Sequence, residues 1–157
     1  MQTSTKFSVA VHSLMMIAAL SDKRKINSDV ISESTGINAV IIRNIFKSLK
    51  QANMITVSPG PGGTTLARSA DRITLWDILT AVEGMGTEDI FKFHPHPSKH
   101  CPVGSNVNGL LKKHLDTAVE AMRMELSSVT LAILVEELYD IQPELAQPPA
   151  DEPNSLL

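Results

Sequence analysis

The sequence predicts a mainly α-helical fold with a small β-wing: a winged helix-turn-helix followed by a long C-terminal dimerisation helix. Three observations carry this. Two short helical patterns are joined by Thr35-Gly36-Ile37-Asn38. Two short apolar runs flank the Gly/Pro-rich turn Ser58-Pro59-Gly60-Pro61-Gly62-Gly63. An apolar stripe then repeats every three or four residues from Val107 to Val129.

From Thr5 to Leu20, Phe7, Ala10, Val11, Leu14, Ile17 and Ala18 recur at helical spacing. Lys23, Arg24 and Lys25 follow its end, where the helix dipole favours cations; they are open to phosphate contact or plain solvation. Ser28 precedes Asp29-Val30-Ile31-Ser32-Glu33 and is expected to cap a short second helix, with Asp29 and Glu33 early in it. Gly36 permits a sharp turn after Thr35, and Asn38 suits the cap of a third helix from Ala39. Helix, glycine turn and helix is the helix-turn-helix pattern, whose second helix enters the major groove of DNA. On that helix Val40, Ile41, Ile45, Phe46 and Leu49 read as the core stripe, while Arg43, Asn44, Lys47 and Lys50 face outward as donors for phosphates and base edges.

Met54-Ile55-Thr56-Val57 reads as a strand and Leu66-Ala67-Arg68 as its partner, with the intervening glycines supplying positive φ at the tip. This is a wing whose backbone can approach DNA closely. A nucleotide-binding glycine loop is disfavoured, because no Lys-Ser/Thr pair and no helix follow it directly. Thr74 opens a helix that ends at Gly84, with Leu75, Ile78, Leu79 and Val82 on one face and Trp76 read as packing. Prolines in His94-Pro95-His96-Pro97 and Cys101-Pro102 then exclude regular structure.

A long helix resumes from Ser105. Its stripe of Val107, Leu111, Leu115, Ala118, Met122, Leu126 and Val129 runs along a rod of about 35 Å at 1.5 Å per residue. One small winged helix cannot cover such a rod, so Leu111, Leu115, Ala118, Met122 and Leu126 are expected to meet a second copy across a two-fold axis. Ser127 to Thr130 interrupt it before a terminal helix, and a proline-rich acidic tail expected to be disordered follows. The expected division is a winged helix-turn-helix DNA-binding domain over 1–84, a loop over 85–104 that is the candidate sensor region, dimerisation helices over 105–140 and a tail over 141–157.

The net charge of −3 conceals a segregation. Residues 1–72 hold nine Lys/Arg against four Asp/Glu, whereas residues 73–157 hold five against thirteen. A basic half carrying the helix-turn-helix fits nucleic acid, and an acidic half fits a separate assembly region. No apolar run approaches the roughly 20 residues of a membrane span, and no signal pattern opens the chain, so a cytoplasmic location is expected. The single cysteine, Cys101, agrees with a reducing compartment. No Ser/His/Asp order, metal–carboxylate set or phosphate-cradling loop points to an enzyme. A winged-helix protein-interaction module without specific DNA readout stays open as the alternative.

Leu66-Ala67-Arg68, preceded by Gly60-Pro61-Gly62-Gly63 and followed by Ile73-Thr74-Leu75-Trp76-Asp77-Ile78 and Ala81-Val82-Glu83-Gly84, resembles the signature of the Rrf2 family of bacterial transcription regulators, which includes IscR and NsrR. The resemblance covers roughly residues 1–140 and implies a homodimeric winged-helix regulator, usually a repressor, whose long C-terminal helices pair. Its implied DNA contacts are Arg43, Asn44 and Lys47 with the wing from Ser58 to Thr65; with the residue-level reading the set becomes Ser28, Thr35, Asn38, Arg43, Asn44, Lys47, Lys50, Ser58, Gly60, Gly62, Gly63, Thr64 and Arg68. Cluster-binding members carry three cysteines before the long helix. This chain has only Cys101 there, so no iron–sulfur cluster and no other cofactor is expected. His94, His96, His100 and Cys101 match no strong metal template. Cys101, with His100 beside it, is the candidate thiol sensor, its pKa expected to fall under the dipole of the following helix; simple packing of Cys101 is the other reading.

Overall fold

The computed structural model describes residues 5–84 and 90–147. Helix α1 (Thr5–Leu20) is apolar around most of its circumference and takes the centre: Ala10, Leu14 and Ile17 are fully buried, and Val9, Met16 and Ala19 nearly so. It touches α2 (Ser28–Thr35), α3 (Ala39–Gln51), α4 (Leu75–Glu83) and α6 (Leu131–Ile141). The one polar side chain buried on it, Ser13, donates its hydroxyl to the Val9 carbonyl at 2.7 Å, which removes the desolvation penalty.

The wing pairs β1 (Ile55–Ser58) with β2 (Gly63–Leu66) in antiparallel register, Ile55 opposite Leu66 and Ser58 opposite Gly63. The expected partner strand at Leu66–Arg68 therefore begins three residues earlier. Gly63 and Thr64 pair with Ser58 and Val57, and the Thr64 N–H donates to the Ile26 carbonyl at 2.8 Å, which ties β2 to the α1–α2 connection. The tip shrinks to Pro59 and a short 3-10 turn at Gly60–Gly62.

Helix α4 starts with a capping box: Thr74 accepts from the Asp77 N–H and Asp77 accepts from the Thr74 N–H, each at 3.1 Å. Helix α5 (Val107–Ser128) then runs for 22 residues with only Val119 buried. It packs on α4. The expected apolar stripe missed this residue, which sits between Leu115, Met122 and Leu126 on the half-buried side.

The expected grouping of α6 with the dimerisation unit changes. Leu131 is fully buried and Val135 nearly so in the core around α1, and the chain is sewn back by Leu131 N–H to Ile73 O at 2.8 Å and Leu75 N–H to Val129 O at 2.9 Å. Thus α6 completes the winged-helix body, whereas α5 leaves Leu110, Leu111 and Met124 exposed. The first part of the stretch expected to be a disordered tail is ordered: Pro143–Leu145 forms a 3-10 turn whose Leu145 carbonyl accepts from Lys23 Nζ. Residues 148–157 of that tail, and 85–89 of the loop, lie outside the described residues.

Candidate nucleic-acid interface

The helix-turn-helix is set by local hydrogen bonds. Asn27, not Ser28, caps α2: its Oδ1 accepts from the Asp29 and Val30 N–H groups, both at 3.0 Å, while Ser28 is the first helical residue. An amide oxygen two positions before the free N–H groups reaches them without distorting the turn. Gly36 closes α2 at φ 69°, donating its N–H to Ser32. Thr35 donates its hydroxyl to the Ile31 carbonyl at 2.8 Å and accepts from the Ile37 N–H at 3.2 Å, and Asn38 Oδ1 caps α3 by accepting from the Val40 N–H at 2.8 Å. Both side chains hold the turn itself.

On α3 the buried side is Ile42, Ile45, Phe46 and Leu49. The expected core positions Val40 and Ile41 instead stand out in solvent, 57% and 46% exposed. Ile42, at spacings of three and seven from Ile45 and Leu49, takes the buried position in their place. Arg43, Asn44, Lys47 and Lys50 are all exposed, as expected.

Between α3 and the wing lies a cleft of about 500 Å³, which gathers Lys25, Arg43, Lys47 and Lys50 above a floor that includes Phe46 and Val57. Ser28, Ser58, Gly60, Gly63 and Thr64 line it too, so most of the sequence-predicted set converges. Thr64 contributes little side chain to solvent, being 2% exposed. Arg68 goes elsewhere: its guanidinium meets Asp77 Oδ2 at 3.3 Å and ties the end of β2 to the cap of α4. Asn44 faces the other flank of α3, in a hollow shared with Thr5, Lys6, Ile41 and Ser48.

Three residues take roles beyond the sequence reading, in which Lys25 is open only to phosphate contact or solvation and Asp29 only to the dipole of α2. Lys25 Nζ donates to the Gly60 carbonyl and so spans from the α1–α2 connection to the wing tip. Asp29 stands 3.5 Å from the Arg43 guanidinium, a largely exposed pair worth no more than about 1 kcal/mol that orients Arg43 yet releases it readily. Asn27 is the third. Its position just before Ser28 was the available signal, since either residue type caps well.

In the loop before α5, Cys101 is exposed. Its thiol pKa is lowered, first by the Gly104 N–H donated to Sγ at 3.4 Å and then by the Val103 N–H. Both donors belong to the turn that follows Cys101, and α5 begins six residues after it, at Val107. His100 is exposed beside it. Among the described residues no three His, Cys, Asp or Glu side chains converge as a metal site.

A short helix, a left-handed glycine, a second helix with an outward cationic face and an adjoining two-stranded wing define a winged-helix DNA-binding protein. A family model described as "Iron-dependent Transcriptional regulator" matches residues 3–137, and the chain belongs to this family, Rrf2. It is accordingly a transcriptional regulator that acts on DNA, and not an enzyme. YwnA of Bacillus subtilis (strain 168), assigned as an HTH-type transcriptional regulator, is 29% identical over 136 residues, 87% of this chain and 98% of YwnA. A crystal structure from Lactobacillus plantarum assigned as a transcriptional regulator is 26% identical with TM-score 0.71, covering 90% of this chain and 97% of that one. IscR of T. potens shares the fold at 22% identity and TM-score 0.61, with 90% and 91% covered.

The family description raises iron, and the donor set here does not fit a protein-held cluster. Iron–sulfur clusters are held by several cysteine thiolates, and this chain has the single thiol of Cys101 to offer.

Proposed function

We propose that the chain is a homodimeric, operator-binding repressor. The observation that carries this reading is the convergence of Arg43, Lys47 and Lys50 from α3 with Lys25 and the wing around one cleft, a cationic edge matched to a phosphate backbone beside a helix free to enter the major groove. Of the sequence-derived set, Ser28, Arg43, Asn44, Lys47, Lys50, Ser58, Gly60 and Gly62 remain the DNA contacts proposed. Thr35, Asn38, Gly63, Thr64 and Arg68 act from behind, shaping the turn, the wing and the α4 cap; Gly63 is buried with its Cα side against Lys25 and Ile26.

The partner for α5 is a second copy. Leu110, Leu111 and Met124 are 66%, 45% and 63% exposed on a helix whose polar side is occupied by the Lys112–Asp116 and Glu120–Arg123 ion pairs. Of the expected dimer residues, Leu111 and Ala118 lie on the exposed side, whereas Leu115, Met122 and Leu126 are half covered within the protomer. Two copies joined through α5 present two α3 helices, which suits an imperfect palindrome with half-sites about one helical turn apart.

The switch proposed is chemical and uses no cluster. An exposed thiol of lowered pKa holds more thiolate near neutrality, and the thiolate is the form that oxidants attack. A footprint on the DNA upstream of the chain's own gene, with and without oxidant, tests both parts. Protection of a palindromic site that oxidant abolishes in the native protein but not in Cys101→Ser is the expected result. Failure to protect any sequence preferentially would favour a protein-interaction module, and an intact oxidant response in Cys101→Ser would remove the thiol switch. Stoichiometric iron and sulfide in anaerobically purified protein would overturn the cluster-free reading.

A further inference from the structure

Val40 does not belong to the core to which its residue type would assign it. It is the second residue of α3 and is 57% exposed. Its neighbours on the helix surface at three, four and seven residues are Arg43, Asn44 and Lys47, all exposed, so Val40 heads the same outward stripe that carries the cationic and amide donors. The Asn38 cap fixes its backbone: the Val40 N–H donates to Asn38 Oδ1 at 2.8 Å, and a β-branched side chain in a helix keeps essentially one χ1 rotamer. The stripe therefore begins with a rigid isopropyl group.

We infer that Val40 is a specificity-determining residue that reads the C5-methyl group of a thymine in the major groove. The inference rests on the operator-binding reading above. The residues of a recognition helix nearest its N-terminus are those that reach base edges, and the thymine methyl is the one apolar feature the major groove displays. An isopropyl group cannot hydrogen-bond to any base edge. Against a thymine it removes two apolar surfaces from water, and against cytosine or guanine at the same place it would strand a donor or acceptor without a partner. Val40 lies about 4.5 Å along the helix axis from Arg43, comparable to the roughly 3.4 Å between successive base pairs. The thymine should therefore stand within one or two base pairs of the base that Arg43 contacts.

The test uses the full-length protein and duplexes enriched by it from a random-sequence pool. Each thymine of the enriched duplex is replaced singly by uracil, which deletes the methyl and keeps every hydrogen-bonding group. At one symmetry-related position per half-site the native protein should bind the uracil duplex about fourfold more weakly, the ratio expected for losing one buried methyl group. Val40→Ala, whose fold is checked by circular dichroism, should bind thymine and uracil duplexes equally at that position while keeping the native salt dependence. Uracil at every thymine leaving native affinity within twofold would overturn the inference and leave the operator-binding reading intact. Full methyl sensitivity in Val40→Ala would overturn it as well. A pool that yields no enriched sequence would overturn both.

Discussion

Gly63 offers the sharpest test of how the wing is held. It adopts φ 68° and ψ −153°, a region essentially reserved for glycine, and a Cβ there would stand 2.9 Å from Lys25 Cγ, 3.1 Å from the Ile26 carbonyl oxygen and 3.4 Å from the Ile26 nitrogen. The lysine stem can move, but the Ile26 backbone cannot do so without stretching the Thr64 N–H bond to Ile26 O, 2.8 Å in length. Gly63→Ala then costs roughly 1–3 kcal/mol in backbone conformation and about 1 kcal/mol in the weakened hydrogen bond. About 0.4–1 kcal/mol returns through the stiffer unfolded chain. The net is roughly 1–3.5 kcal/mol, or about 2–14 °C in Tm for a domain of this size.

Gly36→Ala is the internal control. Gly36 has a positive φ of 69° with nothing within 4 Å of a built Cβ, so only the left-handed conformation is penalised, by about 1–2 kcal/mol before the same unfolded-chain gain. Thermal unfolding followed by circular dichroism, at one fixed protomer concentration because dimerisation shifts Tm, should rank Gly63→Ala well below Gly36→Ala. Equal losses, or the reverse order, would refute the claim that crowding against Ile26 anchors the wing.

Four further outcomes follow from the same geometry. Lys50→Ala should weaken binding to all DNA sequences and flatten the logarithmic salt dependence by about one unit; by contrast, Lys25→Gln, which keeps a donor for the Gly60 carbonyl, should retain more affinity than Lys25→Met, and equal loss would show that Lys25 acts by charge alone. Leu110→Asp with Met124→Asp should convert dimer to monomer in sedimentation while leaving the helix content intact, whereas an unchanged dimer would place the interface elsewhere. Alkylation of Cys101 should reach half its maximal rate at a lower pH in the native protein than in urea, and Gly104→Ala should raise that midpoint, because a Cβ at Gly104 would meet the Ser98 carbonyl oxygen at 2.7 Å and spread the turn that donates to Sγ. The sign follows from the depressed folded-state pKa: the stabilisation is present above the unfolded thiol's pKa and fades as pH falls through the folded one. Identical midpoints in native and unfolded protein would exclude the backbone donors as the cause.

Much of this molecule was legible along the chain because local rules decide it. The α1 pattern, the Gly36 turn, the Asn38 cap, the Thr74 start and Gly84 stop of α4, and the break between α5 and α6 are each set within a few residues, where hydrogen bonding and backbone sterics act. The charged face of α3 was equally readable, since solvent is the default surrounding of Arg43 and Lys47. Errors arose where several local solutions were equally good. Asn27 and Ser28 are both able caps, and the strand partner could begin at Gly63 or Leu66.

By itself the sequence determined the helix-turn-helix, the existence of a wing, the length of α5 and the poverty of thiol ligands, because composition and short-range spacing suffice for these. Only tertiary structure decided that α6 returns to the winged-helix body, that Arg68 serves Asp77 rather than the cleft, that Lys25 reaches the wing tip, and that Val40 stands outside the core. Each of those depends on which surface covers a residue, or which distant atom meets it. An apolar side chain is core only where another element packs over it, and at Val40, 57% exposed, none does so to completion.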